Sequence, residues 1–150
     1  MSLITDKIFY AALSADTQGI VATTGGRIYS TAIPVPDEQL DNEPLPYIII
    51  TFDGLQNDDT TKDNSYEGDD DKVQIGIEIV CEDRESLGSL AQAVRTQIKT
   101  YFENYEAPVS GPDLSNLIPD DYQFSAGPIA YDPWKPCYYQ QLTYACDTKV

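Results

Sequence analysis

The stretch Val73-Gln74-Ile75-Gly76-Ile77-Glu78-Ile79-Val80-Cys81, followed at once by Glu82-Asp83-Arg84-Glu85-Ser86-Leu87, decides the fold. Val73, Ile75, Ile77, Ile79 and Cys81 occupy every second position, with Gln74, Gly76, Glu78 and Val80 between them. Strand side chains alternate between faces, so this spacing predicts a strand with one face on a core. From Leu87 the period changes. Leu87, Leu90, Ala91, Val94, Ile98, Tyr101 and Phe102 recur at helical spacing, the stripe of a helix with one buried side. Asp83 stands where a capping carboxylate receives the first free amides of that helix. Two consecutive elements that each need one face covered predict a helix lying across a sheet.

Upstream, Tyr47-Ile48-Ile49-Ile50-Thr51-Phe52 is an unbroken run of β-formers, read as a central strand buried on both faces. The stretch 53–71 holds eight acids (Asp53, Asp58, Asp59, Asp63, Glu67, Asp69, Asp70, Asp71) against one lysine, Lys62. With so few apolar residues to offset ordering, it is expected to be an exposed, mobile hairpin loop. Near the start, Leu3, Ile4, Ile8, Ala11, Ala12 and Leu13 follow helical spacing, with Ser2 as N-cap. That helix should stop around Asp16-Thr17-Gln18-Gly19, the glycine taking a left-handed C-terminal conformation. Gly25-Gly26 then turns into a short strand at 27–31. Pro34, Pro36, Pro44 and Pro46 bracket a polar loop.

Downstream, 104–119 reads as loop, and 123–130 as a strand interrupted at Gly127-Pro128. Asp132-Pro133-Trp134-Lys135-Pro136 reads as a turn, and 138–146 alternates as a strand. The expectation is a single α+β domain over residues 1–150: a mostly antiparallel sheet with two helices packed on one face, in the order α-β-β-β-α-β-β. An acidic loop at 53–71 and an irregular insertion at 104–136 interrupt it.

Composition narrows the chemistry. The net charge is -16, from 25 acidic and 9 basic residues, so phosphate backbones and anionic lipid are repelled. There is no histidine, which removes the commonest general base and the commonest transition-metal ligand. No apolar run approaches the ~20 residues that cross a bilayer. Asp6 and Lys7 interrupt the opening stretch where an export signal would be apolar, so none is expected. Cys81, Cys137 and Cys146 are an odd number without CxxC spacing, which argues for reduced thiols over a disulfide framework or zinc site. Cys81 and Cys146 are in phase with the apolar faces of their strands and read as core. Cys137, between Pro136 and Tyr138, reads as the exposed one, with Lys135 its cationic neighbour.

Candidate sites follow from the same reading. Counted from Asp63, Ser65, Glu67 and Gly68 fall at positions suited to a calcium loop, but the twelfth position is Gln74, inside a strand, where a bidentate glutamate is required. A carboxylate-based hydrolase centred on Asp69, Asp70, Asp71 and Glu78 lacks pre-organised partners. Neither a cofactor nor a metal is expected, and the chain is read as not an enzyme. Arg27 is a candidate contact to a partner or an intramolecular pair. Arg95 and Lys99 lie one turn apart on a solvated helix face. Trp134, isolated in a proline-rich turn, is read either as an interface anchor or as packing on the domain's own core.

Several of these segments, taken in order, resemble the minor-tail family of long-tailed phages, which includes tail terminators and tail-completion (neck) proteins. The segments are Phe9-Tyr10-Ala11-Ala12-Leu13 with Asp16, Gly26-Arg27-Ile28-Tyr29, Leu45-Pro46-Tyr47-Ile48-Ile49, Val73-Gln74-Ile75 running to Cys81, and Leu90-Ala91-Gln92-Ala93-Val94-Arg95. The similarity spans residues 3–102, with a strand-like echo at 138–146. The sequence departs from the pattern at the acidic loop, at 104–136, and at Glu82-Asp83, where an aromatic often follows the cysteine position.

The resemblance implies a sheet with helices on one side, assembled into a ring, often a hexamer, that caps a polymerised tail tube and meets the head connector. The implied partners are further copies of the chain, the tail tube protein, connector proteins, and DNA passing through the lumen without tight binding; no membrane is involved. The implied location is the bacterial host cytoplasm during assembly and then the tail or neck of the virion. Interface candidates are Asp58, Asp59, Asp69, Asp70 and Asp71 in the acidic loop, as a lumen- or tube-facing element, together with Arg27 and Trp134. The alternative reading is an acidic binding module, either a DNA mimic or a regulator docking on a basic partner protein.

Overall fold

The computed structural model describes residues 6–15, 18–30, 44–57, 70–107, 109–111 and 121–149. In chain order the elements are α1 (Asp6–Ser14), α2 (Ile20–Thr24), β1 (Ile28–Tyr29), β2 (Tyr47–Asn57), β3 (Asp70–Cys81), α3 (Arg84–Glu103), β4 (Asp121–Ala126), β5 (Ala130–Asp132) and β6 (Cys137–Lys149). The strands form one sheet in the order β1-β2-β3-β6-β4, with β5 also on β6. β1 runs parallel to β2, and every other pairing is antiparallel.

The alternation read in the sequence is the alternation of the sheet. Val73, Ile75, Ile77, Ile79 and Cys81 are buried, and the ladder sets Ile77 between Ile50 and Leu142, and Ile75 between Phe52 and Tyr144. α3 covers this face through Leu87, Leu90, Val94 and Ile98, all buried. α1 adds Phe9, Ala12 and Leu13. Each such large aliphatic side chain contributes roughly 1.5–3 kcal/mol on leaving water. The Asp83 cap forms as expected: its carboxylate accepts from the Ser86 amide at 2.7 Å and from the Ser86 hydroxyl at 2.9 Å.

An aromatic cluster closes the far end of the core. Tyr144 packs against Phe9, Tyr122 and Phe124 at centroid distances of 5.2, 5.6 and 5.1 Å, and Phe102 meets Phe9 edge-on at 5.3 Å. The cluster joins α1, α3, β4 and β6, so the outermost long strand is anchored from the helix side.

The α+β class holds, with differences in count and order. There are three helices among the described residues, not two, and six strands. Gly19 does not end the first helix, which stops at Ser14; it sits at φ 72° as the N-cap of α2. α2 is held by the Thr23 and Thr24 hydroxyls, which donate to the carbonyls of Gly19 and Ile20 at 2.9 Å. Five residues are too few to carry a readable period. Gly25 and Gly26, at φ 63° and 81°, make the expected turn.

The strand at 47–52 is buried on both faces only at its start. Tyr47 and Ile48 are both buried, whereas Thr51 is exposed. β1 is two residues long and pairs with Ile48 and Ile49 alone, so β2 is close to being an edge strand. The stretch read as acidic loop from residue 53 is shorter than expected. The β2–β3 ladder continues to Asn57 and Asp71, with a bulge between Phe52 and Gly54, so 53–57 and 70–71 are strand. Residues 104–136 likewise include β4 and β5, divided at 127–129 where the Gly127-Pro128 break was read. The amide of Gly127 donates to the carbonyl of Gln141 at 2.8 Å, which keeps the break against β6.

Cys81 and Cys146 are buried, as their phase requires. Burial, with Asp83 and Glu82 nearby, pushes the Cys81 thiol up to about 11. Cys137, read as exposed, is only 4% exposed and packs with Tyr47 and Val80. It opens β6, on the sheet face away from the helices, where that small apolar cluster receives it.

Candidate interface surface

Three helices on one side leave the other side of the sheet without a covering layer among the described residues. Strand parity sets what this side presents: Tyr47, Ile49, Thr51 and Asp53 from β2, Gln74, Gly76 and Glu78 from β3, and Tyr139, Gln141 and Thr143 from β6. It divides into an apolar end and a polar end.

At the apolar end, Tyr47, Ile49, Val80, Cys137 and Tyr139 wall a groove of about 340 Å³ that also holds Glu78 and Asp132. Lys135 lies over the ring of Tyr47, with its Nζ 5.3 Å from the centroid. Burial pushes the Glu78 carboxyl above its ordinary value. The Cys137 thiol is raised by burial first, then by Asp132. A raised thiol pKa means less thiolate, so this cysteine is not poised as a nucleophile.

At the polar end, three strands meet over Gly76. The Thr51 hydroxyl donates to Asp53 Oδ1 at 2.8 Å, and Gln141 Nε2 reaches Asp53 Oδ2 at 3.4 Å. A Cβ at position 76 would sit 2.5 Å from Asp53 Oδ2, 2.7 Å from Gln141 Nε2 and 2.8 Å from Thr51 Oγ1. The missing side chain is therefore the space these three groups use.

Trp134 stands beside the groove, 96% exposed, which decides against packing on the domain's own core. The turn that carries it is ordered by Asp132, whose Oδ1 accepts from the Trp134 amide at 2.9 Å. Tyr131 and Tyr139, also exposed, flank the same hairpin. Arg27 is turned inward: its Nε donates to the Pro46 carbonyl at 3.2 Å and its NH2 group to Leu45 at 3.3 Å, tying β1 to the entry of β2. Asp58, Asp59 and Asp69 lie outside the described residues. Asp70 and Asp71 are placed by their backbone at the start of β3, paired with Lys149 and Thr148.

Sequence reasoning missed two residues. Arg95, read as part of a solvated face, has its guanidinium 4.4 Å from the centroid of Phe124, a cation–π contact between α3 and β4. Gln97, a polar residue inside the apolar stripe, is 1% exposed; its position within the stripe was the available signal. A second cavity, of about 800 Å³, opens where α3 begins, between Asp83, Ser89, Leu90 and Ala93 on one side and Gln18 and Thr23 on the other. Among the described residues, no three or more of His, Cys, Asp and Glu are grouped to hold a metal ion. No described helix is long and apolar enough to cross a membrane.

No protein-family model matches the chain, and no curated protein does. Among solved structures, the chain is similar to one from the virion of a native gene transfer agent (GTA) particle. The two are 11% identical with a TM-score of 0.49, over 96% of this chain and 94% of that one.

Proposed function

We propose that this chain is a structural, non-catalytic protein of a phage or prophage tail, which caps the tail tube, joins it to the head connector, or does both, as a ring of copies. The observation that carries the reading is the one-sided sheet: helices cover one face, while the other, with Trp134 held out beside it, is left to partners. An exposed aromatic anchor next to a half-apolar groove is what a protein interface requires at its centre. The ordered motifs from residue 9 to residue 95 support the same reading, because the resemblance rests on them.

Function in such a ring is steric. A net charge of -16 keeps a lumen from gripping the phosphates of passing DNA. Light scattering across concentration, with negative-stain images of the heaviest species alone and with tail tube, tests the reading. A closed ring, or a cap seated on tube ends, is the expected result. A strict monomer that ignores tubes but captures a basic protein would overturn it in favour of an acidic binding module.

A further inference from the structure

The open side of the sheet is laid out in rows. Tyr47, Val80 and Tyr139 are ladder partners in one row, and Ile49, Glu78 and Gln141 in the next. Glu78 thus stands on the middle strand with an aliphatic side chain on one flank and an amide on the other. That amide is engaged elsewhere, since Gln141 Nε2 donates to Asp53 Oδ2. The ammonium of the groove is engaged as well, with Lys135 lying over the Tyr47 ring. Asp132 is held by the turn through the Trp134 amide. No hydrogen bond or ion pair reaches the Glu78 carboxylate, which is half-buried in a groove walled entirely by described residues. Burial alone accounts for its raised pKa. A carboxylate drawn part-way out of water without a partner carries a desolvation cost in the free subunit. A cation arriving from outside would offset it.

We infer that this groove receives an arginine side chain from a loop of a different tail protein, with its guanidinium against Glu78. The inference rests on the reading of the chain as a tail protein, and it names the chemistry that its open face recognises. Arginine suits the site better than lysine. Its planar fork matches a carboxylate, it is more weakly hydrated than an ammonium, and it lies flat on aromatic rings. Tyr139, exposed on the groove wall, offers such a ring. Trp134, 96% exposed on an ordered turn beside the groove, extends the contact to the residues that flank the arginine, the aromatic anchor of a protein partner and not of a small ligand. A net charge of -16 draws a basic segment toward this surface. Another copy of the chain is a poor source. Of its three arginines, Arg27 is bonded to the Pro46 and Leu45 carbonyls and Arg95 lies on Phe124. The third, Arg84, stands between Asp83 and Glu85.

The probe is a capped pentapeptide with one arginine between two leucines, read by the emission of Trp134, the chain's one tryptophan. A matched peptide with citrulline, which keeps the shape and loses the charge, is the control. The arginine peptide is expected to shift Trp134 emission saturably, and the citrulline peptide to bind about tenfold more weakly or worse. Glu78→Gln should bring the arginine peptide down to the citrulline level, with the melting temperature unchanged or raised. No saturable response to arginine, equal responses to the two peptides, or a Glu78→Gln variant that binds like the parent would each overturn the inference. The same variant separates this contact from the wider reading. If parent and Glu78→Gln chains seat equally on tail tubes and on connectors, the arginine contact is removed and the tail reading stands. If the parent binds the arginine peptide through Glu78 but ignores tubes and connectors, the contact stands and the tail reading is removed.

Discussion

Gln97 Nε2 donates to the backbone carbonyl of Ala12 at 2.9 Å, joining the middle of α3 to the last turn of α1 across 85 positions of sequence. Both residues are out of contact with water. The same carbonyl accepts from the Ala15 amide at 3.3 Å, so the Gln97 amide adds a second, shorter bond that ties the two helices together. Gln97→Leu should destabilise the fold by about 1 kcal/mol. Urea unfolding at constant m-value measures this, and a variant as stable as the parent would show that the contact is dispensable.

Tyr144 presents the reverse case. Its hydroxyl is buried and has no hydrogen-bond partner among the described residues, and burial raises its pKa far above the ordinary phenol value. Tyr144→Phe keeps the ring that Phe9, Tyr122 and Phe124 pack against and removes the desolvated oxygen. It should be neutral or stabilising by up to ~1 kcal/mol, whereas Tyr144→Ala should cost ~3–5 kcal/mol. Thermal melts of the two variants give the comparison. A clear loss in the Phe variant would mean that the hydroxyl has a partner.

The Asp83 cap gives a pH signature. The Ser86 amide, and then its hydroxyl, hold this exposed carboxyl below its ordinary value. A depressed folded-state pKa contributes stability above the unfolded value, near ~3.9, and loses it as pH falls through the lower folded one. Asp83→Ala should therefore melt below the parent at neutral pH, with the gap narrowing as the medium is acidified below about pH 4. Asp83→Ser, a neutral cap, should be less sensitive to that change. A gap that stays constant into acid would mean that the cap works without its charge.

Trp134 is a prediction about partners, not folding. Nothing in the described core touches its ring, so Trp134→Ala should leave stability within about ±0.5 kcal/mol. The same substitution should weaken association with tail tube or connector at least tenfold if the indole is the anchor of that contact. A pull-down against assembled tubes, run beside a melt of the same sample, separates the two effects.

The sequence made legible what a long period or a single strong cap can encode. The alternation of β3, the stripe of α3, the Asp83 cap and the strand at 138–146 are all continuous patterns, and each is where it was read. α2 was hidden because five residues between Gly19 and Gly25 show no period, and because a left-handed glycine serves helix starts and ends alike. The bounds of the acidic stretch were misjudged because composition reports solvation, while the β2–β3 ladder extends by backbone pairing that charged residues tolerate at a hairpin. Cys137 and Gln97 each defied residue-type expectation for a tertiary reason: one fills a small apolar cluster on the open face, the other donates to a carbonyl inside the core. The surface itself was only half readable. Trp134 stood out by isolation, but the relation among Thr51, Asp53, Gly76 and Gln141 depends on three strands that meet only in the fold.

A sheet covered on one side gives each long strand two separable vocabularies. In β3, Ile75 and Ile77 belong to the core, and a change there unfolds the subunit before any partner can judge it. Their neighbours Gln74 and Glu78 can be rewritten with the core untouched. A library confined to such alternate positions would leave the protein soluble and foldable while altering only what it recognises. The open face could thus be retargeted from one partner to another on an unchanged scaffold.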